Sequence, residues 1–198
     1  MDRKMFESDL SFSHSYQLTE PPELPGSGGS DLALYYYPPP LGRPEHDGLW
    51  VRCCPQSGED WIGVFAGEYG SPPAISKILS TPDPNRMCVI SGGRGYVINS
   101  SKPTQWETIP IFPITYASSA PDHRFLVFGT FSCLIAWNNK VVWRTNVTID
   151  RLTVTSLNSD RIEGHGYDPG RGAKDPFVIE TGTGTVHDPE VRHSHWRS

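Results

Sequence analysis

The chain has 198 residues, including 19 glycines and 19 prolines, and only 36% of its residues are apolar. A chain of this length buries about 70% of the surface that its unfolded form exposes, so one domain with a sizeable core is expected. The formal net charge of −5 is modest, and the basic residues are scattered, which argues against binding to nucleic acid or to an anionic membrane. An apolar run of about 18 residues and a secretory signal pattern are both missing from the sequence, so we expect a cytoplasmic protein.

The beginning and the end of the chain differ in composition from the rest. Residues 13–30 are rich in proline, glycine and serine, and such segments bury too little apolar surface to offset the entropy lost on ordering. We therefore predict a flexible tail over residues 1–30, a single β domain over residues 31–187 and a mobile C-terminal tail over residues 188–198.

Short apolar runs between turn residues predict strands along the remaining chain. In chain order the predicted strands are Leu32–Tyr37, Leu49–Cys54, Trp61–Ala66, Arg86–Ser91, Gly95–Asn99, Ile109–Tyr116, Arg124–Phe128, Cys133–Trp137, Lys140–Asn146, Leu152–Ser156, Arg161–Tyr167, Phe177–Thr181 and Gly184–His187. Only one helix is predicted, over Pro72–Leu79, with Ser71 as its N-cap. Its apolar face would be formed by Ile75, Ile78 and Leu79.

A repeat of about 38 residues connects three parts of the sequence. The segment Arg86–Trp106 resembles Arg124–Trp143, and Arg161 opens a third copy. A period near 40 residues is typical of β-propeller blades, although any β chain with frequent hairpins aligns with itself to a similar degree. We therefore predict an all-β fold, either an antiparallel sandwich or an open barrel, with propeller-like blade repeats as the alternative.

The last third of the chain carries a series of sequence patterns that are shared with other proteins. The patterns are Trp143-Arg144-Thr145, Asp150-x-Leu152-x-Val154, Ile162-x-Gly164-x-Gly166-Tyr167-Asp168 and Pro176-Phe177-x-Ile179-x-x-Gly182-x-Gly184. In this combination the chain resembles a group of uncharacterised bacterial proteins. These proteins have no assigned activity, so the resemblance implies a bacterial cytosolic origin and supplies no functional site.

The segment 164–176 holds the densest group of chemically capable side chains, among them His165, Asp168, Arg171 and Lys174. Functional groups concentrate on loops that a rigid scaffold holds in place. The glycines, prolines and aspartates of this segment are equally what a wide turn requires. The sequence leaves both interpretations open, a binding site at these four residues and a plain turn.

A second group of candidate ligands lies close to the end of the chain. His187, His193 and His195 carry imidazole nitrogens that bind transition metals, and His193 and His195 would share one face of a strand. The opposing interpretation is a mobile terminus, on which the supporting shell of a metal site is difficult to build.

Two tryptophans near a predicted hairpin are candidates for recognition. Asn138 and Asn139 form a two-residue turn signal, because asparagine tolerates the positive φ of a type I′ turn. Trp137 would then pair with Lys140, and strand alternation would send Trp143 to the opposite face. One indole would therefore lie in the core and the other would be exposed, available to stack on a sugar or a protein partner.

The four cysteines lie in apolar runs, where thiols usually act as small buried hydrophobic groups. They are Cys53, Cys54, Cys88 and Cys133, with a Cys88–Cys133 disulfide as the alternative to free thiols.

No complete catalytic motif is recognisable in the sequence, so we predict a non-enzymatic protein-recognition domain that uses no cofactor and has another protein as its partner. A bacterial immunity or accessory protein would fit this description. The alternative is a small ligand- or metal-binding protein, or a hydrolase, that uses the segment 164–176.

Overall fold

The computed structural model describes residues 7–19, 31–39, 48–67, 74–146, 150–168 and 172–187. These residues form seventeen strands and contain no helix, which confirms the predicted all-β class. Accordingly, no helix in this part of the chain could span a membrane.

The strands are short, as the many turn residues predict. They are β1 (Glu7–Asp9), β2 (Tyr16–Thr19), β3 (Ala33–Tyr37), β4 (Gly48–Pro55), β5 (Trp61–Ala66), β6 (Lys77–Ser80), β7 (Arg86–Ser91), β8 (Arg94–Asn99), β9 (Lys102–Thr108), β10 (Tyr116–Ser119), β11 (Leu126–Gly129), β12 (Cys133–Trp137), β13 (Val141–Asn146), β14 (Asp150–Leu157), β15 (Arg161–Asp168), β16 (Ala173–Glu180) and β17 (Val186–His187).

The strands form four sheets that follow one another along the chain. The strand order is β2-β4-β5-β3 in the first sheet, β1-β6-β7-β8-β9 in the second, β10-β11-β12-β13 in the third and β14-β15-β16-β17 in the fourth. From β6 onward each sheet is an antiparallel meander in chain order. The parallel pairs are β1 with β6 and β3 with β5.

The sheets stack face to face because their strands are apolar on both sides. Successive side chains of a strand point to opposite faces, so a continuous apolar run supplies two cores at once. Three apolar cores separate the four sheets, represented by Phe65 with Tyr96, by Ile90 with Phe128 and by Val127 with Ile162. A succession of four-stranded meanders stacked in this way is the arrangement of neighbouring propeller blades.

The sequence repeat corresponds to equivalent strands of consecutive sheets. β7, β11 and β15 follow the first meander strand of their sheets, and they contain or closely follow the three arginines that open the repeat. Trp106 and Trp143 lie in β9 and β13, the last strands of the second and third meanders. The blade-like repeat is therefore confirmed for these three sheets.

The prediction of a flexible tail over residues 1–30 is wrong for residues 7–19. Phe12 and Tyr16 are buried, at 6% and 2% exposure, in two of the cores between sheets. Burial of these two aromatic rings offsets the entropy lost on ordering the segment, a contribution that the average composition of the tail does not reveal. Residues 1–6, 20–30 and 188–198 lie outside the described part of the chain.

The predicted helix over Pro72–Leu79 is also wrong where the structure describes this segment, from Ala74 onward. Lys77–Ser80 is the strand β6, and the amide of Ile75 donates to the carbonyl of Ile114. The adjacent residues Ile78 and Leu79 are both buried, but in different cores. Only a strand sends two neighbouring side chains to opposite faces, which explains why the helical spacing was misleading.

Candidate functional site

The segment 164–176, predicted as a loop, is for the most part a β-hairpin. β15 pairs with β16 from Arg161 opposite Glu180 to Asp168 opposite Ala173. His165 and Lys174 therefore lie on strands. Arg171 is outside the described residues, and for Asp168 the structure describes the backbone only.

One side of the fourth sheet is covered by the third sheet, and the other side forms a surface that we call the outer face. The outer face is formed by alternate residues of the four strands, which are Thr153, Arg161, Glu163, His165, Tyr167, Lys174, Pro176, Val178, Glu180 and His187. Tyr167 is 42% exposed. The outer face thus combines cationic, anionic, imidazole and aromatic groups.

His165 and Lys174 are diagonal neighbours on the outer face. His165 lies opposite Pro176, and Lys174 lies opposite Tyr167. Diagonal positions of an antiparallel pair are about 7–8 Å apart. The two side chains are thus neighbours on one face of the sheet, where Lys174 is exposed and His165 is half-buried.

His187, the described member of the three predicted metal ligands, is remote from His165. His187 lies on β17 opposite Val178 of β16, and β16 separates it from β15. Two strand spacings put the backbones of the two histidines roughly 10 Å apart. The structure describes no group of three potential metal ligands. His193 and His195 lie outside the described residues, so their role as ligands stays a prediction.

An open depression lies at one end of the outer face. It is lined by Asp160, Arg161, Val178, Glu180 and His187. The hydroxyl of Thr183 donates to the Glu180 carboxylate at 2.6 Å, which fixes this acid at the rim. His165, Tyr167 and Lys174 are not part of the depression, so it does not gather the predicted site residues.

Trp137 and Trp143 lie on opposite faces of the third sheet, as predicted, but neither is exposed. Trp137 is 2% exposed in the core shared with the second sheet, and Trp143 is 8% exposed in the core shared with the fourth. The expectation that one indole is free to stack on a ligand is therefore wrong. A sheet with neighbours on both sides buries both alternating sets of side chains.

The turn between these tryptophans is one residue longer than predicted. Trp137 pairs with Val141 rather than with Lys140, and the register shifts between Ala136 and Trp137. Asn139 has the positive φ that the sequence signal requires, at 54°. The two asparagines correctly predicted the hairpin between β12 and β13, but they did not predict which residues of the two strands pair.

The four cysteines are free thiols. Burial, with smaller contributions from Cys54 and Asp60, raises the pKa of Cys53 to about 12, and burial raises the pKa of Cys88 as well. High pKa values suppress the thiolate, which is the reactive form. The thiols of Cys53 and Cys88 therefore act as apolar packing groups rather than as nucleophiles.

The sequence patterns quoted above for the last third of the chain contain residues that pack together. Their buried members in the core between the third and fourth sheets are Trp143, Leu152, Ile162, Phe177 and Ile179. These residues of the patterns thus help to pack the third sheet against the fourth. Sequence reasoning missed the outer face itself, whose signal was the alternation Arg-x-Glu-x-His-x-Tyr along β15.

The described residues define an all-β protein of stacked sheets, three with four strands and one with five, with a mixed-polarity outer face on the fourth sheet. No family model and no curated protein matches the chain. The chain is similar to the crystal structure of the Myceliophteria thermophila Cps50 (Swd1) beta-propeller domain, with 13% identity and a TM-score of 0.44. The similarity covers 72% of this chain and 53% of that chain, so the present chain spans about half the length of that domain.

Proposed function

We propose that the chain is a non-enzymatic protein-recognition domain that binds another protein through the outer face of its fourth sheet. The observation that carries the proposal is the contrast between the two sides of this sheet. The covered side presents residues such as Phe177 and Ile179, which are almost fully buried. The outer face presents Arg161, Lys174 and the exposed ring of Tyr167.

The composition of the outer face suits a non-obligate protein interface. Such interfaces are about as polar as the rest of a protein surface, with tyrosine and arginine enriched. Packing of another sheet of this kind on the fourth sheet would require an apolar outer face, whereas a polar outer face is typical of the terminal repeat of an array. Three strands of eight residues cover roughly 400 Å² at a spacing of ~4.8 Å and a rise of ~3.4 Å. Because this is about half of what one partner buries in a standard interface, we expect a transient complex.

The proposal includes a bacterial accessory or immunity role in the cytoplasm. The support for the location is the set of four free cysteines, which is typical of a reducing compartment. The support for a bacterial origin is the sequence resemblance in the last third of the chain.

A photo-crosslinking experiment in the source cells tests the proposal. A photoreactive amino acid replaces Tyr167 on the outer face in one variant and Gln105, an exposed residue of the edge strand β9, in a control. We expect a discrete crosslinked protein from position 167 and none from position 105. The same partner, once identified, should bind Y167A/K174E at least tenfold more weakly than the unmodified chain. Equal crosslinking from both positions, or unchanged affinity of the folded double variant, would reject the outer face as the binding surface.

A further inference from the structure

The strand β1 is the edge strand of the second sheet, next to β6. β6 to β9 follow one another in chain order, whereas β1 comes from about 70 residues earlier and adds in parallel to β6. Three residues make the pairing, with Glu7 opposite Lys77, Ser8 opposite Ile78 and Asp9 opposite Leu79. An extended segment thus covers a sheet edge that would otherwise expose unpaired amide and carbonyl groups.

Two acidic side chains fix the position of this segment. The Glu7 carboxylate accepts from the Lys77 ammonium at 2.8 Å, where the Lys77 side chain is 15% exposed and the Glu7 side chain is 73% exposed. The Asp9 carboxylate accepts from the backbone amide of Ser119 on the third sheet at 3.3 Å. The site therefore provides one positively charged partner and one backbone donor for acids two positions apart.

An aromatic ring anchors the end of the same segment. Phe12 is buried in the core between the second and third sheets, and its ring packs edge-on against the ring of His123, with 5.3 Å between centroids. Its backbone amide donates to the hydroxyl of Ser80 at 2.9 Å. The slot therefore binds an aromatic side chain and its backbone amide, at a bend that follows the extended residues Glu7–Asp9.

We propose that the β6 edge and the Phe12 slot form a second protein-binding site, which accepts a partner segment with the pattern acid-x-acid-x-x-aromatic, extended at the two acids and bent at the aromatic residue, and which residues 7–12 occupy in cis. The geometry is that of strand addition, in which backbone pairing supplies affinity and side-chain pockets supply specificity. The site is independent of the outer face, because it lies on the second and third sheets.

The segment in cis acts as a built-in competitor. A tethered ligand has an effective concentration of about 1 mM. If the tethered and the free segments bind equally well at 1–10 µM, the apparent Kd of the free segment rises by roughly 100-fold to 1000-fold. The partner therefore binds well only when its segment fits better than residues 7–12 or when these residues are released.

The test uses the full-length chain and a fluorescent peptide with the sequence of residues 5–14. The variant E7K/F12A removes two of the contacts that hold residues 7–12 on the β6 edge, and it leaves the sequence of β2 unchanged. We expect the peptide to bind this variant at least 100-fold more tightly than it binds the unmodified chain. Hydrogen exchange of the amides in Lys77–Ser80 should rise in the variant and return to its original level with peptide.

Peptide variants identify the contacts. F12A in the peptide should abolish binding, S8A should leave it unchanged, and E7K should weaken it. Adding K77E to the protein variant should restore binding of the E7K peptide. A folded E7K/F12A chain with unchanged exchange at β6 and no peptide binding would overturn the proposal. Concentration-dependent dimerisation of the unmodified chain that exchanges residues 7–12 would also overturn it, because the occupant would then be a second copy.

Discussion

The indole N–H of Trp143 donates a hydrogen bond to the backbone carbonyl of Thr181 at 2.9 Å. Trp143 belongs to the last strand of the third sheet, and Thr181 follows β16 of the fourth. The ring also packs edge-on against Phe125, with 6.3 Å between centroids. One side chain thus connects two sheets, through its hydrogen bond to Thr181 and through the apolar core that both sheets share.

Replacing Trp143 should separate these two contributions. W143F keeps an aromatic ring but leaves the Thr181 carbonyl without its donor, at a cost of about 1–3 kcal/mol. W143A also creates a cavity, and the loss of unfolding free energy should reach about 3–5 kcal/mol. The neighbouring V142A is the control, since Val142 is 49% exposed, and it should change stability by less than about 0.5 kcal/mol. Urea unfolding measures all three, and a W143F chain as stable as the unmodified one would contradict the role of the hydrogen bond.

Gly184 should tolerate no side chain. Its φ is +74°, and a Cβ atom at this position would lie 2.7 Å from the Trp143 ring and 2.8 Å from the Thr145 hydroxyl. Backbone strain and steric overlap act together, so G184A should lower the unfolding free energy by more than about 1 kcal/mol. Gly182 provides a matched control, because its nearest neighbour would be a guanidinium nitrogen of Arg124 at 4.0 Å. If thermal melting shows equal losses for G182A and G184A, the close approach at Gly184 is not the cause.

The sequence predicted the class of fold well because β structure leaves a local signal in every strand. The continuous apolar runs of β7, β11 and β12 indicated buried strands, and the spacing between β7 and β11 indicated a repeat. The partners of β1 and β2 could not be predicted in this way, because they lie about 70 and 36 residues further along the chain and the local composition between them favours disorder. Period-two polarity in β15 carried the signal of the outer face, but the glycines around His165 suggested a loop instead.

Thiol accessibility checks the position of the four cysteines. Cys53, Cys88 and Cys133 are buried, and only Cys54 is partly exposed. Burial, together with a hydrogen bond to Asp60, also raises the pKa of Cys54, so its reaction at pH 7 should be slow. We expect one thiol to react with a disulfide reagent in the native chain and four in urea. C54S should not react with the reagent while it is folded. Any thiol that still reacts in folded C54S would show that the surroundings of one of the three buried cysteines are more open than described.

The Asp9 carboxyl should make the attachment of β1 dependent on pH. Burial alone raises the pKa of Asp9, but the hydrogen bonds from Ser11 and Ser119 outweigh burial and hold the pKa below its usual value. A carboxyl with a lowered folded-state pKa contributes stability that is fully present above the unfolded-state pKa of about 3.9 and is lost as the pH falls through the folded-state value. The protection of the Lys77–Ser80 amides against hydrogen exchange, taken relative to the intrinsic exchange rate at each pH, should therefore fall below about pH 4.

The variant D9N isolates this contribution from the other acids that titrate in the same range. D9N should be less stable than the unmodified chain at pH 6, and the difference in unfolding free energy should shrink between pH 4 and pH 2, with a slope of at most about 1.4 kcal/mol per pH unit for one proton. D31N alters an exposed acid outside the sheets and should run parallel to the unmodified chain. A constant difference between D9N and the unmodified chain from pH 6 to pH 2 would mean that the Asp9 contacts do not depend on the charge of the carboxylate.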